Sequence, residues 1–231
     1  MGPASQLEFA LQAPLRWGGR RPGAGRKPGG ARHVPHASRP SFSRHHPSHV
    51  TLRVRSGVPS LRSPRLVRAL ERSLREAKER SGFRVIAYSV QRDHLHLLVE
   101  AEDRHALGRG MMSIGARIGR AVRRVFGGRG PVLKERYHQR VVRSPREVRN
   151  ALVYVMLNAR KHAAALGREV LKHVTSVDPA SSGRWFIGWT RALPPSQDEP
   201  AVAAPRTWLL RVGWRRHGLI DPSEIPGPRR R

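Results

Sequence analysis

Two histidines separated by one leucine, His94-Leu95-His96, sit within an apolar run that ends Leu97-Leu98-Val99. Side chains two apart on a β-strand point to the same face, so a strand here projects both imidazoles together as a two-nitrogen clamp for a cation. Farther along, Tyr154 and Asn158 stand four apart in a segment of helical periodicity, which places a phenol and a carboxamide on one helix face. Phosphodiester cleavage needs a nucleophile in line with phosphorus and a cation that polarises the phosphoryl oxygen. In that scheme His94 and His96 hold the metal, Asn158 adds a carbonyl oxygen as third ligand, and Tyr154 attacks through its phenolate. The product is a phosphotyrosine link, which conserves the energy of the broken bond for later rejoining. Neutral imidazole suits Mn, Co, Ni or Zn, whereas Mg favours more oxygen. Each residue also has an ordinary structural reading: surface or core histidines, a packed aromatic with its hydroxyl at the rim, a capping or solvent-facing asparagine. Tyr88 and Tyr137, on expected strands, are the competing tyrosines, and His138 is a further metal candidate.

The surrounding composition favours a polyanionic partner. Against 16 acidic residues stand 45 Lys and Arg, a formal charge of +29, and such a chain repels itself unless it meets nucleic acid, with contacts that weaken steeply in salt. There is no cysteine, which excludes disulfides, thiolate zinc sites and cysteine nucleophiles. No apolar stretch approaches the ~20 residues that span a bilayer. Met1 to Pro14 lacks the basic-then-apolar order of a signal peptide, so the expectation is a cytoplasmic, nucleoid-associated protein with no membrane contact.

The elements that must position these residues are legible in the hydropathy pattern. Residues 1–47 read as a flexible arm rich in Gly, Pro and Arg, in which Arg20, Arg21, Arg26 and Lys27 are candidates for a narrow minor groove. His49 to Arg55 alternates as a half-buried strand with Val50, Leu52 and Val54 inward. Ser63-Pro64 opens a helix with an apolar stripe through Leu66, Ala69, Leu70, Leu74 and Ala77, ended by Gly82. Phe83–Val90 and Asp93–Glu100 read as antiparallel neighbouring strands, and 105–126 as a helix weakened by its glycines. A further strand is expected over Arg136–Val142. Ser144-Pro145-Arg146-Glu147 matches a capping box and opens a helix running to Gly167. That order predicts an α+β fold with an antiparallel sheet on a split βαβ plan, over a domain at 48–167. Residues 168–231 read as a basic, aromatic tail with a Pro-rich linker, packing on something, and Thr207–His217 as a short basic helix. From strand and turn placement Arg53, Arg55, Arg84, Arg136, Arg140 and Arg143 are candidate phosphate contacts.

Together His94-Leu95-His96, the helical Tyr154 and Asn158 one turn on resemble the single-tyrosine HUH transposases, in particular the branch of REP-associated tyrosine transposases, over roughly residues 48–166. The resemblance implies a ferredoxin-like core, a divalent metal such as Mg or Mn, single-stranded DNA with hairpins as substrate, and a homodimer. It implies strand cleavage and rejoining through a covalent 5′-phosphotyrosine on Tyr154, with His94, His96 and Asn158 as ligands. Asp93 stands where the family often has Asn, and Ala159 replaces a frequent proline, which predicts an unbroken helix through Asn158. Two other classes remain: a catalytically inactive or domesticated hairpin-binding protein, and an RNA-binding ferredoxin-like sheet, for which the strands lack the paired aromatics.

Overall fold

The computed structural model describes residues 42–167 and 177–227, all within one unit, Pro40–Arg231. Arg20, Arg21, Arg26 and Lys27 of the expected arm lie outside the described residues. Alternating polarity makes β1 (Ser48–Arg53) two-sided, with Val50 and Leu52 buried on one face and His49 and Thr51 on the other. A short reversal at Ser81-Gly82, both at positive φ, folds β2 (Glu79–Arg80) onto β3 (Phe83–Val90). β3 pairs antiparallel with β4 (His94–Ala101), β4 with β1, and β1 with the edge strand β5 (His138–Val141). The sheet order is β2-β3-β4-β1-β5, so β4 is central.

Each face of β4 is covered by different helices. Leu95, Leu97 and Val99 join Val50 and Leu52 beneath α1 (Pro64–Ala77) and α2 (Arg104–Phe126). Full burial of each leucine contributes about 1.5–3 kcal/mol. Leu98 and Ala87 face the other way, onto Val148, Leu152 and Val155 of α3 (Pro145–Met156). The result is the expected α+β architecture, an antiparallel sheet flanked by helices.

Local signals set the helix starts. Ser63 accepts from the Leu66 amide, and Ser144 and Glu147 form the reciprocal box expected for α3. α2 runs through its glycines because two of them sit at close contacts: a Cβ on Gly110 falls 2.2 Å from the Phe83 ring, and one on Gly115 falls 3.0 Å from Leu133. Three expectations need correction. α1 ends at Ala77 rather than at Gly82, since the chain turns there into β2. β5 is four residues long, shorter than expected. The helix beginning at Ser144 is broken: Leu157 leaves helical geometry (φ −108°, ψ 19°) and α4 (Asn158–Leu166) starts afresh.

Residues 177–227 fold back over α3. Trp189, Leu209, Leu210, Trp214 and Ile220 are buried in the same cluster as Val148, Leu152 and Val155. The buried Glu100 carboxylate at the end of β4 accepts from the amides of Arg206 and Thr207 (both 2.8 Å) and from the Thr207 hydroxyl (2.7 Å). Among the described residues no helix is long and apolar enough to cross a membrane.

Two alanine substitutions two residues apart in α2 have opposite expected effects. Gly110→Ala drives a methyl into Phe83 and destabilises by about 1–3 kcal/mol. Gly108→Ala meets nothing within 4 Å and stabilises by about 0.5–1 kcal/mol. Urea denaturation of the two variants reads both signs, and equal effects contradict the packing described.

Candidate active site

The histidines occupy the α3 side of β4, where the strand's alternation puts them opposite Leu95 and Leu97. His94 Nε2 and His96 Nε2 lie 3.0 Å apart with their rings nearly perpendicular at 82°. Asp93 Oδ1 lies 2.7 Å from His94 Nδ1, so the ring donates its Nδ1–H to the carboxylate and keeps the Nε2 lone pair free toward His96. That hydrogen bond is also the main reason the Asp93 carboxyl is held below the usual range. On the far side of His96, Nδ1 meets His49 Nε2 and Thr51 Oγ1, each at 3.2 Å. Both partners come from β1, where Thr51 is directly in register with His96.

Tyr154 closes this cluster from α3. Its ring centroid is 5.0 Å from that of His96 and 5.6 Å from that of His49, both edge-on. Lys161 Nζ stands 4.7 Å from the tyrosine ring centroid. The break at Leu157 places Asn158 at the start of α4 rather than on the tyrosine's own helix, where it shares a face with Lys161 and His162, three and four residues on. Asn158 is 1% exposed, and neither its Oδ1 nor its Nδ2 has a hydrogen-bond partner. A buried carboxamide left in that state costs about 1–3 kcal/mol, which calls for a function.

Burial, followed by the neighbouring His49 and His94, pushes His96 down to about 2, so the ring is neutral and both its nitrogens are available as donor or ligand. His162 is lowered mainly by burial and then by His94. Among the described residues no three His, Asp or Glu side chains form a metal-binding group. The donor set that does fit a cation is mixed: two imidazoles whose Nε2 atoms converge and a partnerless carboxamide oxygen.

A cleft of ≈ 520 Å³ opens beside the cluster, lined among others by His49, Tyr154, Arg140, Arg146, Pro226 and Gly227. Arg140 is exposed and pairs with Glu147 at 3.1 Å. Arg53, Arg55, Arg136 and Arg143 are also exposed, Arg53 at 3.8 Å from Asp93. Arg84 is a correction: it is 5% exposed and surrounded by Glu79, Glu100 and Glu102 at 2.8–3.7 Å, so its guanidinium is committed to a structural ion cluster and is withdrawn from the phosphate contacts. The competing tyrosines belong to the opposite layer. Tyr88 is fully buried and donates to Glu71 at 2.8 Å, and Tyr137 packs against the α1–α2 core. His138 is exposed, across from Thr51.

Sequence reasoning missed His49, Thr51 and Lys161 as members of the site. The signal was present for the first two: the period that sends Val50, Leu52 and Val54 inward sends His49 and Thr51 to the other face.

With this geometry in place, comparison with known proteins is informative. Residues 44–142 match the family described as Transposase IS200 like. The likeness to that family covers this segment, less than half of the chain. It spans β1 to β5 and includes His49, His94 and His96; Tyr154 and Asn158 lie beyond it. Among solved structures, the chain is similar to a REP-associated tyrosine transposase bound to a REP hairpin (17% identity, TM-score 0.43, covering 54% of this chain and 73% of that one). It is also similar to a crystallised transposase candidate from Deinococcus radiodurans (18%, 0.37, 46% and 85%). A third is a bacterial tRNA(His) guanylyltransferase-like protein in complex with ATP (13%, 0.40, 56% and 67%). No curated protein matches the chain.

The lowered His96 gives a pH signature. Below about 6.5 the unfolded chain takes up a proton that the folded ring refuses, so the contribution of this group to stability is present above that pH and declines as pH falls, by at most about 1.4 kcal/mol per unit. In metal-free urea titrations between neutral pH and mildly acidic pH, His96→Asn should show a shallower loss of stability than the wild type. Parallel slopes contradict a neutral buried ring.

Proposed function

We propose that the chain is a transposase that cuts one strand of DNA, with Tyr154 as nucleophile beside a divalent cation held by His94, His96 and Asn158. The observations that carry the reading are two imidazoles whose Nε2 atoms face each other at 3.0 Å with the Tyr154 ring against them, and a buried, partnerless Asn158 on α4, the helix whose Lys161 stands 4.7 Å from that same ring. The cation, Mg or Mn, supplies Lewis-acid polarisation of a phosphoryl oxygen when bound.

The chain's own residues do the rest. Asp93 fixes the His94 tautomer, and Thr51 or His49 accepts the Nδ1–H that His96 carries when its Nε2 is a ligand. Arg140 and Arg146 at the cleft wall bind the phosphates flanking the reacting one. The Tyr154 phenolic oxygen attacks phosphorus, the bond from phosphorus to the 3′ oxygen breaks, and that oxygen leaves as a hydroxyl with the proton the phenol gave up. Tyr154 retains the 5′ phosphate. Attack by another 3′ hydroxyl reverses the step and joins strands without a nucleotide cofactor. The substrate is single-stranded DNA carrying hairpins.

Incubation with a hairpin-bearing single-stranded oligonucleotide and Mn²⁺ should yield a covalent adduct resistant to denaturing electrophoresis, and Tyr154→Phe should abolish it. An adduct that survives in that variant assigns the nucleophile elsewhere. Metal-independent hairpin binding without any cleaved strand supports the inactive, hairpin-binding reading instead.

Asn158→Leu separates ligation from folding. Removing the unpartnered carboxamide should raise the stability of the metal-free protein by up to about 1–3 kcal/mol, and it should erase the thermal upshift that Mn²⁺ gives the wild type. A variant that is less stable without metal and still responds to Mn²⁺ contradicts the assignment.

A further inference from the structure

The stretch Arg206–Leu219 contains four arginines and one histidine and no acidic residue. It lies outside the matched segment, 44–142. Its short helix α5 (Trp208–Arg211) is capped by the Thr207 side chain, and Thr207 is itself pinned to the buried Glu100. Leu209, Leu210 and Trp214 point inward to the α3 core. Trp208 is left 48% exposed, next to Val212 at 51%.

The exposed indole is nonetheless held. A Cβ on Gly213 would fall 2.6–3.0 Å from its six-membered ring, so the ring lies directly over glycine backbone. The Arg216 guanidinium is 4.8 Å from the ring centroid. The other described tryptophans spend their indole N–H internally, Trp185 on Asp198, Trp189 on Gly183 and Trp214 on Leu210. Arg211, Arg215 and Arg216 are exposed on the same segment, Arg215 with its guanidinium 5.5 Å from the Trp214 ring centroid. A fixed, half-exposed aromatic ring beside a guanidinium, on a segment with further exposed arginines and no acidic residue, suits one class of ligand: a base that stacks, joined to phosphates that the arginines attract.

We propose that Trp208, with Arg211, Arg215 and Arg216, is a stacking platform for an unpaired nucleobase of the DNA strand. The proposal rests on the DNA-processing reading above and adds a binding site on the C-terminal segment. Arg149 of α3 donates to the carbonyls of Gly218 and Leu219, which ties the platform to the helix that carries Tyr154.

The test is fluorescence anisotropy of the full chain in EDTA with a labelled oligothymidylate and with an abasic strand of the same length. Trp208→Ala should weaken oligothymidylate binding about tenfold and leave abasic-strand binding unchanged, while Trp208→Phe keeps most of the affinity. Arg211→Gln should weaken both ligands and flatten the salt dependence. Wild-type affinity of Trp208→Ala for oligothymidylate, or an equal loss on the abasic strand, overturns the platform with the DNA reading intact. So does a Trp208→Ala protein whose only change is reduced self-association, which makes the patch a protein contact. Binding of neither ligand by the wild type overturns the DNA reading itself.

Discussion

Because β4 lies in the middle of the sheet with helices on both sides, every one of its side chains is forced into a packed layer, and the layer is decided by parity alone. Leu95, Leu97 and Val99 fill the α1–α2 side. His94, His96, Leu98 and Glu100 fill the other, and their order along the strand runs from the imidazole cluster to a structural carboxylate. At one end two imidazoles meet Tyr154; in the middle Leu98 seats α3; at the far end the Glu100 carboxylate clasps Arg206 and Thr207. A one-residue slip of β4 would bury the imidazoles among leucines and lose the helix, the anchor and the site together.

The same face explains why the C-terminal segment belongs to any account of function. Helix α3 has a sheet beneath it and Trp214, Leu209 and Ile220 above it, so its position is set from both sides. Arg149 adds a paired contact to Glu224, 3.1 Å from one guanidinium nitrogen, and Pro226-Gly227 then reach the cleft next to Tyr154. A helix clamped this way restricts the motion of Tyr154 relative to the imidazoles, and under the proposed cleavage such preorganisation would lower the entropic cost of an in-line attack.

What the sequence reveals here is what local physics determines. Period-two alternation placed His94 with His96 and Val50 with Leu52, and the Ser144–Glu147 box marked the start of α3, because caps and strand faces depend on neighbours a few residues away. Long-range geometry was not legible. Arg84 looks like a surface strand arginine until Glu79 of β2, Glu100 of β4 and Glu102 just beyond β4 are brought around it. His49 becomes part of the site only when β1 pairs with β4, and no propensity marks the break at Leu157, a residue buried in the core. The resemblance that singled out Tyr154 and Asn158 reached past the matched segment, and the structure brings Tyr154 against the imidazole cluster.

The central claim is that two imidazole nitrogens and the Asn158 carboxamide share one cation beside Tyr154. Crystals soaked in Mn²⁺ and measured for anomalous scattering address it most directly. The account predicts a single strong peak bonded to His94 Nε2, His96 Nε2 and Asn158 Oδ1. A well-ordered site with no peak, or a manganese bound elsewhere while Asn158 stays unpartnered, would contradict it.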